Sequence, residues 1–173
     1  MSAIKFISIL LVYLFLNADA LNAQTTFDVP NKIELNVKED YPKYSQDVIN
    51  ATKWLEETDL DKEVKKRKQV SAFVLKWVNG CPMFDIELTD PIFKLYGDNS
   101  ELLIIYLGGY SRYYLENAAS ATKLSATKAG LISMMNVYQK KIGISKSKEM
   151  EKLIKETEKN KLDEYISKNF EFK

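Results

Sequence analysis

The 173-residue chain contains no histidine and a single cysteine. Without histidine it cannot form a His-dependent catalytic triad, a Cys-His nucleophile pair or an HExxH zinc site, and it lacks the usual general base near neutral pH. Cys81 has no partner for an intramolecular disulfide. Any catalysis would therefore rest on carboxylate, lysine, tyrosine or serine side chains, and stability must come from packing.

The chain also lacks a strong charge of either sign. It has 25 basic and 24 acidic residues, a net charge of +1, which favours neither nucleic acid nor an anionic membrane as a partner. No P-loop, GxGxxG or CxxC motif is present. We therefore predict no cofactor, no catalytic, cofactor-binding or metal-binding residue of a known pattern, and no nucleic-acid partner.

The first residues carry the features of a secretory signal peptide. Lys5 is the only early charge, an apolar core covers residues 6–16, and small and polar residues follow. This core is about half of the ~20 residues needed to span a bilayer. We expect a signal peptide over residues 1–23, cleaved after Ala23 or alternatively after Ala20. The mature protein is then periplasmic or secreted and has no transmembrane segment.

Apolar residues in the rest of the chain recur mainly at helical spacing. Residues 24–40 are polar with little periodicity and predict an extended or poorly ordered lead-in. Residues 41–173 predict a single helical domain, with a first helix at about 42–58 and a fourth at about 122–142. The fold class is thus an all-α bundle of five to six helices packed in antiparallel hairpins. Its predicted core comprises Phe73, Trp77, Leu103, Leu107, Leu131, Met135 and Tyr138.

Two glycine-containing segments punctuate this pattern. In "NGCP", Gly80 is predicted to adopt a left-handed conformation at a helix end. The alternation of apolar residues that follows predicts an ordered connector with one strand-like piece, before Asp90 and Pro91 begin a short helix. In "ELLIIYLGGYSRYYLEN", an all-round apolar run predicts a central helix, in which Gly108 and Gly109 either permit a close helix crossing or mark a break.

The run "SATKLSATK" contains two Ser-x-x-Lys patterns, Ser120 with Lys123 and Ser125 with Lys128. This spacing occurs in serine acyl-enzymes, where one helical turn places the amine beside the hydroxyl. The accompanying Lys-Thr-Gly motif is absent. We therefore expect a structural role instead, with Thr122 or Ser120 capping the fourth helix.

A row of tyrosines offers a candidate binding surface. Tyr106, Tyr110, Tyr113 and Tyr114 recur at i, i+4, i+7 and i+8, with Arg112 beside them. Tyrosine and arginine side chains favour partner binding because they combine large contact area with polar groups. We predict that the helix emerges at the surface after Gly109. Tyrosine rows at this spacing are, however, more often the edge of a core with hydroxyl groups exposed to water.

Lysine-rich segments are predicted to be solvated helix faces. One is the cluster of Lys65, Lys66, Arg67 and Lys68, and the other is the C-terminal part of the chain. In the latter, Glu151 with Lys155 and Glu164 with Lys168 are spaced for i,i+4 ion pairs.

The segments "LNAQ", "FVLKWVNGCP", "ELLIIYLGGYSRYYLEN" and "AGLISMMNVYQKK" together resemble a family of small secreted proteins of the Bacteroidetes. That family has no assigned activity. The resemblance covers about residues 45–165 and contains no catalytic signature. It therefore implies export and a helical fold, and supplies no functional residue.

These observations lead to two functional hypotheses. The first is an exported, non-catalytic helical protein that binds a partner protein or ligand in the cell envelope. The alternative is a small envelope hydrolase that uses carboxylates or a Ser-Lys pair. The sequence identifies neither the partner nor a substrate.

Overall fold

The computed structural model describes residues 26–170, so the predicted signal peptide and its cleavage points lie outside the described residues. Within this range a 3-10 helix, Lys38–Tyr44, precedes seven α-helices, and there is no β-strand. The all-α prediction is confirmed, with one helix more than the upper expected number. The helices are α1 (Ser45–Glu57), α2 (Val64–Gly80), α3 (Asp90–Tyr96), α4 (Glu101–Glu116), α5 (Lys123–Gln139), α6 (Lys148–Glu158) and α7 (Leu162–Asn169).

The short helix predicted to begin at Asp90 and Pro91 does form and is α3, which lies in the connector between α2 and α4. The preceding residues 81–89 are irregular, so the strand-like piece predicted there does not form. Phe84 and Ile86 do alternate inward, but no neighbouring strand in the described chain is available to pair with this segment. The alternation of apolar and polar residues here arises because one side of an extended connector is buried, and it does not indicate a β-sheet.

The lead-in before the 3-10 helix has no regular secondary structure but is attached to the bundle. Phe27 is 5% exposed, and its ring stacks on Phe73 of α2 with centroids 6.0 Å apart. The Tyr44 hydroxyl donates to the Lys32 carbonyl and accepts from the Glu34 N–H. The lead-in therefore packs against α2 and covers part of the surface of that helix.

The centre of the bundle is the hairpin of α4 and α5, which cross at small residues. α4 continues through Gly108 and Gly109 without a break. A methyl group on Gly109 would lie 2.7 Å from Ser133 Cβ in α5, and one on Gly108 would lie 2.9 Å from Thr52 Oγ1 in α1. The two glycines thus permit close crossings on two sides of α4, which decides between the two sequence alternatives.

Two buried hydroxyl groups near these crossings, those of Thr52 and Ser111, are satisfied within their own helices. Thr52 Oγ1 donates to the Val48 carbonyl at 2.8 Å, and Ser111 Oγ donates to the Leu107 carbonyl at 2.7 Å. Thr52 and Ser111 are 1% and 0% exposed. Because these two hydroxyl groups have local partners, their small polar side chains fit beside the crossings without an unsatisfied hydrogen-bonding group.

The predicted core is confirmed for six of its seven members, and Leu103 is only partly buried. Gly80 differs from its prediction. It is the last residue of α2 and does not have a positive φ. Its small size matters instead, because a side chain there would meet the ring of Tyr41, which packs against Trp77.

Arg67 also departs from its prediction as part of a solvated face. It is 3% exposed, donates to the carbonyl oxygens of Leu55 and Thr58 at the end of α1, and has its pKa lowered by burial. Lys140 Nζ donates to the carbonyls of Glu56 and Glu57, both at 2.8 Å. Two cations therefore satisfy the C-terminal carbonyl groups of α1, where the helix dipole favours positive charge.

Replacing Gly109 with alanine tests the close crossing. Alanine favours a helix by about 1 kcal/mol over glycine, so an uncrowded site would be stabilised by G109A. Here the new methyl group meets Ser133, and we expect the free energy of unfolding to fall by about 1 to 2 kcal/mol in chemical denaturation.

The control is a double-mutant cycle with Ser133→Gly, which removes the side chain that the new methyl group meets. The cycle should show a favourable coupling of about 1 kcal/mol between the two substitutions. Stabilisation by G109A alone would contradict the close crossing.

Candidate functional site

The predicted tyrosine surface begins inside the protein. Tyr106 and Tyr110 are 1% and 2% exposed. The prediction that the helix emerges after Gly109 is therefore wrong for Tyr110 and for Ser111, which is fully buried. Residues 112–115 of α4, which include Tyr113 and Tyr114, are half-buried, and Glu116 at the end of the helix is exposed.

The irregular connector, residues 81–89, covers this row. Phe84 lies over it, with its ring 4.8 Å from that of Tyr114 in a stacked arrangement and 5.9 Å from that of Tyr110. The Tyr110 hydroxyl donates to the Asp85 carbonyl at 3.0 Å. The aromatic surface that the sequence offers to a partner is thus occupied by another segment of the same chain.

The remaining polar group of the row, Arg112, is also engaged. Its Nη1 lies 2.6 Å from Glu56 Oε2 in α1, and both side chains are largely buried. Buried ion pairs of this kind hold a guanidinium in a fixed direction, so Arg112 is not free to contact a partner without breaking the pair. Of the tyrosine row, only Tyr113 and the outer edge of Tyr114 remain at the surface of the described structure.

The Ser-x-x-Lys pattern forms the start of α5. Thr122 is the N-cap: its hydroxyl accepts from the Ser125 N–H, and Ser125 Oγ accepts from the Thr122 N–H and donates to the Thr122 carbonyl. This confirms the predicted cap. Lys128 points away and forms an ion pair with Asp163 at 2.7 Å. The hydroxyl of Ser125 is therefore used in the helix cap, and the ammonium group of Lys128 is paired with another residue.

A small polar cavity brings together members of both predicted patterns. Its lining includes Tyr110 from α4, Lys123 and Thr127 from α5, and Asp85 and Glu87 from the connector. Its volume is about 10 Å³, which is room for about one water molecule. The cavity gathers an amine and two carboxylates, but it does not accommodate an organic substrate.

The lone cysteine has the properties of a structural residue. Cys81 is half-buried at the end of α2, and burial raises the pKa of its thiol. Because the thiolate is the reactive form, this shift lowers its nucleophilicity near neutral pH. Within residues 26–170, no group of three acidic or cysteine side chains is arranged to hold a metal ion.

A much larger concave surface of the described residues lies elsewhere, between the lead-in and the first turns of α2. This open groove of about 1000 Å³ has residues 28–31 as one wall and residues 63–69 as the other. The Asp28 carboxylate and Lys66 Nζ lie 3.2 Å apart and connect the two walls. Val64 is 50% exposed at the groove.

Two backbone features accompany the groove. Within residues 26–170, no backbone-to-backbone hydrogen bond involves residues 28–31. Glu63, which precedes α2, has φ 43° and ψ 39°, a left-handed conformation that is unfavourable for a non-glycine residue. No sequence pattern indicated this groove, because its walls are more than thirty residues apart.

Comparison of the chain with models of known protein families, with curated proteins and with solved structures found no match. No helix in the part of the chain that the structure describes is both long and apolar enough to cross a membrane.

Substitution of Tyr110 separates a core role from a binding role. Truncation to alanine removes a ring that packs among Phe84, Tyr106 and Tyr114, and we expect the free energy of unfolding to fall by about 3 to 5 kcal/mol. Tyr110→Phe keeps the ring and loses the hydrogen bond to Asp85, at a cost of about 1 kcal/mol.

Tyr113→Ala is the matched substitution on the exposed side of the same helix, and its effect should be smaller than that of Tyr110→Ala. Thermal and chemical denaturation measure all three variants. An alanine at position 110 that leaves stability within about 1 kcal/mol of the wild type would show that the connector does not cover this row.

Proposed function

We propose that the protein is exported to the cell envelope and acts there as a non-catalytic binding protein. The signal-peptide pattern and the resemblance to secreted proteins of the Bacteroidetes support export. The groove between the lead-in and α2 is the observation that carries the binding proposal. It is far larger than the polar cavity and, unlike the tyrosine row, is not covered by another part of the described chain.

The groove suits an extended peptide segment of a partner protein. Residues 28–31 provide backbone groups for pairing with an extended chain, which is a common mode of peptide recognition. Val64 provides an apolar contact, while Lys65 and Gln69 provide donors on the α2 wall. The left-handed backbone conformation of Glu63 supports this proposal, because strained backbone conformations occur often at functional sites.

The hydrolase hypothesis has less support. It requires either Ser125, whose hydroxyl is used in the α5 cap, or the carboxylates of Asp85 and Glu87. The cavity beside those carboxylates has room for about one water molecule. A substrate would have to displace the connector and with it the aromatic contacts of Phe84.

Site-specific photo-crosslinking from position 64 tests the proposed groove. A benzophenone side chain at Val64 should yield one dominant adduct with an envelope protein in the producing cells. The control places the same side chain at Leu75, which is also exposed and lies on the same helix. That position should yield no such adduct, because it lies outside the groove.

A synthetic peptide copied from the crosslinked segment provides the second step. It should bind the purified protein, and V64D should weaken this binding by about tenfold or more, since a charge replaces the apolar contact. Aspartate is tolerated at the first residue of a helix, so the fold should be retained. Equal adducts from both positions, or a peptide insensitive to V64D, would contradict the proposal.

A further inference from the structure

Helix α6 carries a straight row of lysines along its outer side. Lys148, Lys152, Lys155 and Lys159 follow one another at i, i+4, i+7 and i+11, and all four are exposed. At 1.5 Å per residue the row extends about 16 Å. The opposite side of the helix packs into the bundle through Met150 and Leu153, both fully buried. We call these four lysines the lysine row.

Further lysines extend this charge beyond α6. Two shallow grooves that share Lys152 and Glu156 lie along the row, and Lys146, Lys161 and Lys168 also line them. Together the two linings contain seven lysines and three glutamates, which gives a net charge of +4. The whole chain has a net charge of only +1. Positive charge is therefore concentrated on this side of the protein.

The ion pairs that the sequence predicted here are not formed. Glu151 accepts from the Tyr138 hydroxyl at 3.1 Å instead of pairing with Lys155. Glu164 lies 4.0 Å from Lys161 rather than pairing with Lys168. Within residues 26–170, Lys159 is the only member of the lysine row with an ion pair, to Glu156 at 3.0 Å. Among the described residues, the other three ammonium groups thus have no carboxylate oxygen within 4.0 Å.

The placement of the acidic residues strengthens this asymmetry. Of the four glutamates of α6, Glu151 and Glu156 are half-buried and lie about 60° to 80° around the helix from the lysine row, and the exposed Glu149 and Glu158 lie about 90° from it. A flat surface that approaches the helix from outside meets the ammonium groups first. The carboxylates on the flanks remain further from it.

We propose that the lysine row docks the protein on the surface of a bilayer that contains anionic lipids. A convex row of ammonium groups matches a plane of lipid phosphates, and clusters of four to eight such charges are typical of this attraction. The row itself contains no exposed apolar or aromatic side chain, so binding is electrostatic and shallow. A single nucleic-acid strand would instead favour a groove with several aromatic rings for base stacking, and Tyr165 is the one aromatic residue among the described linings of the two grooves.

Vesicle co-sedimentation tests the proposal with the purified protein as its producing cell processes it. The protein should bind vesicles of phosphatidylcholine mixed with phosphatidylglycerol, and should not bind vesicles of phosphatidylcholine alone. The vesicles of phosphatidylcholine alone also reveal any membrane binding by a predicted signal peptide that has not been removed. Binding should disappear in about 1 M NaCl, where the Debye length is about 3 Å.

Two fourfold variants with equal net charge locate the surface. Replacing Lys148, Lys152, Lys155 and Lys159 with glutamine should weaken vesicle binding by more than about tenfold. The matched control replaces four exposed lysines elsewhere, and it should stay within about twofold of the wild type. The control positions are Lys38, Lys62, Lys68 and Lys94.

Circular dichroism checks that both variants remain folded, as expected because glutamine is a good helix former. The proposal is overturned if the wild type does not prefer anionic vesicles, or if both variants lose binding equally. Binding to a soluble acidic polysaccharide or to nucleic acid without binding to anionic vesicles would also overturn it. If the fourfold row variant unfolds, the double variant K152Q/K155Q replaces it, and this variant should also weaken vesicle binding.

Discussion

The structure depends on the close approach of α4 to α5 and α1 at Gly108 and Gly109. A side chain at Gly109 would overlap Ser133, and one at Gly108 would overlap Thr52. Glycines cost helix stability in isolation, about 1 kcal/mol each, so their presence in the most apolar helix requires a compensating gain. That gain is packing on two sides of one helix, which places α4 at the centre of the bundle.

The central position of α4 determines what happens to its tyrosines. Helices α1, α2 and α5 all pack against α4. The connector between α2 and α3 covers a further part of the same helix. Phe84 completes that cover by stacking on Tyr114 and by approaching Tyr110. The aromatic row consequently stabilises the fold. In the described part of the chain, the groove beside the lead-in and the lysine row of α6 are not covered in this way.

Much of the fold could be predicted from the sequence because its signals are local. Helical periodicity identified the core of α2 and α5, and Thr122 was recognisable as a cap from its position before an apolar stripe. The errors concern contacts between distant residues. Nothing near Tyr110 indicates that Phe84 will cover it, nothing near Arg67 indicates the end of α1, and Phe27 gives no sign of its partner Phe73. The groove escaped prediction for the same reason, since its two walls come from separate segments.

Ionisation of Tyr106 tests the enclosure of α4 most directly. Burial raises the pKa of Tyr106 from the ordinary value of 10.0 to about 12, so the folded protein keeps this proton while the unfolded chain releases it. The resulting stabilisation is complete below about pH 10 and is lost as the pH rises toward 12. Ultraviolet titration of the wild type and Y106F, over the pH range in which circular dichroism shows the helices intact, should give the same number of ionising tyrosines near pH 10. One ionising tyrosine fewer in Y106F near that pH would show that Tyr106 is accessible and would contradict the account.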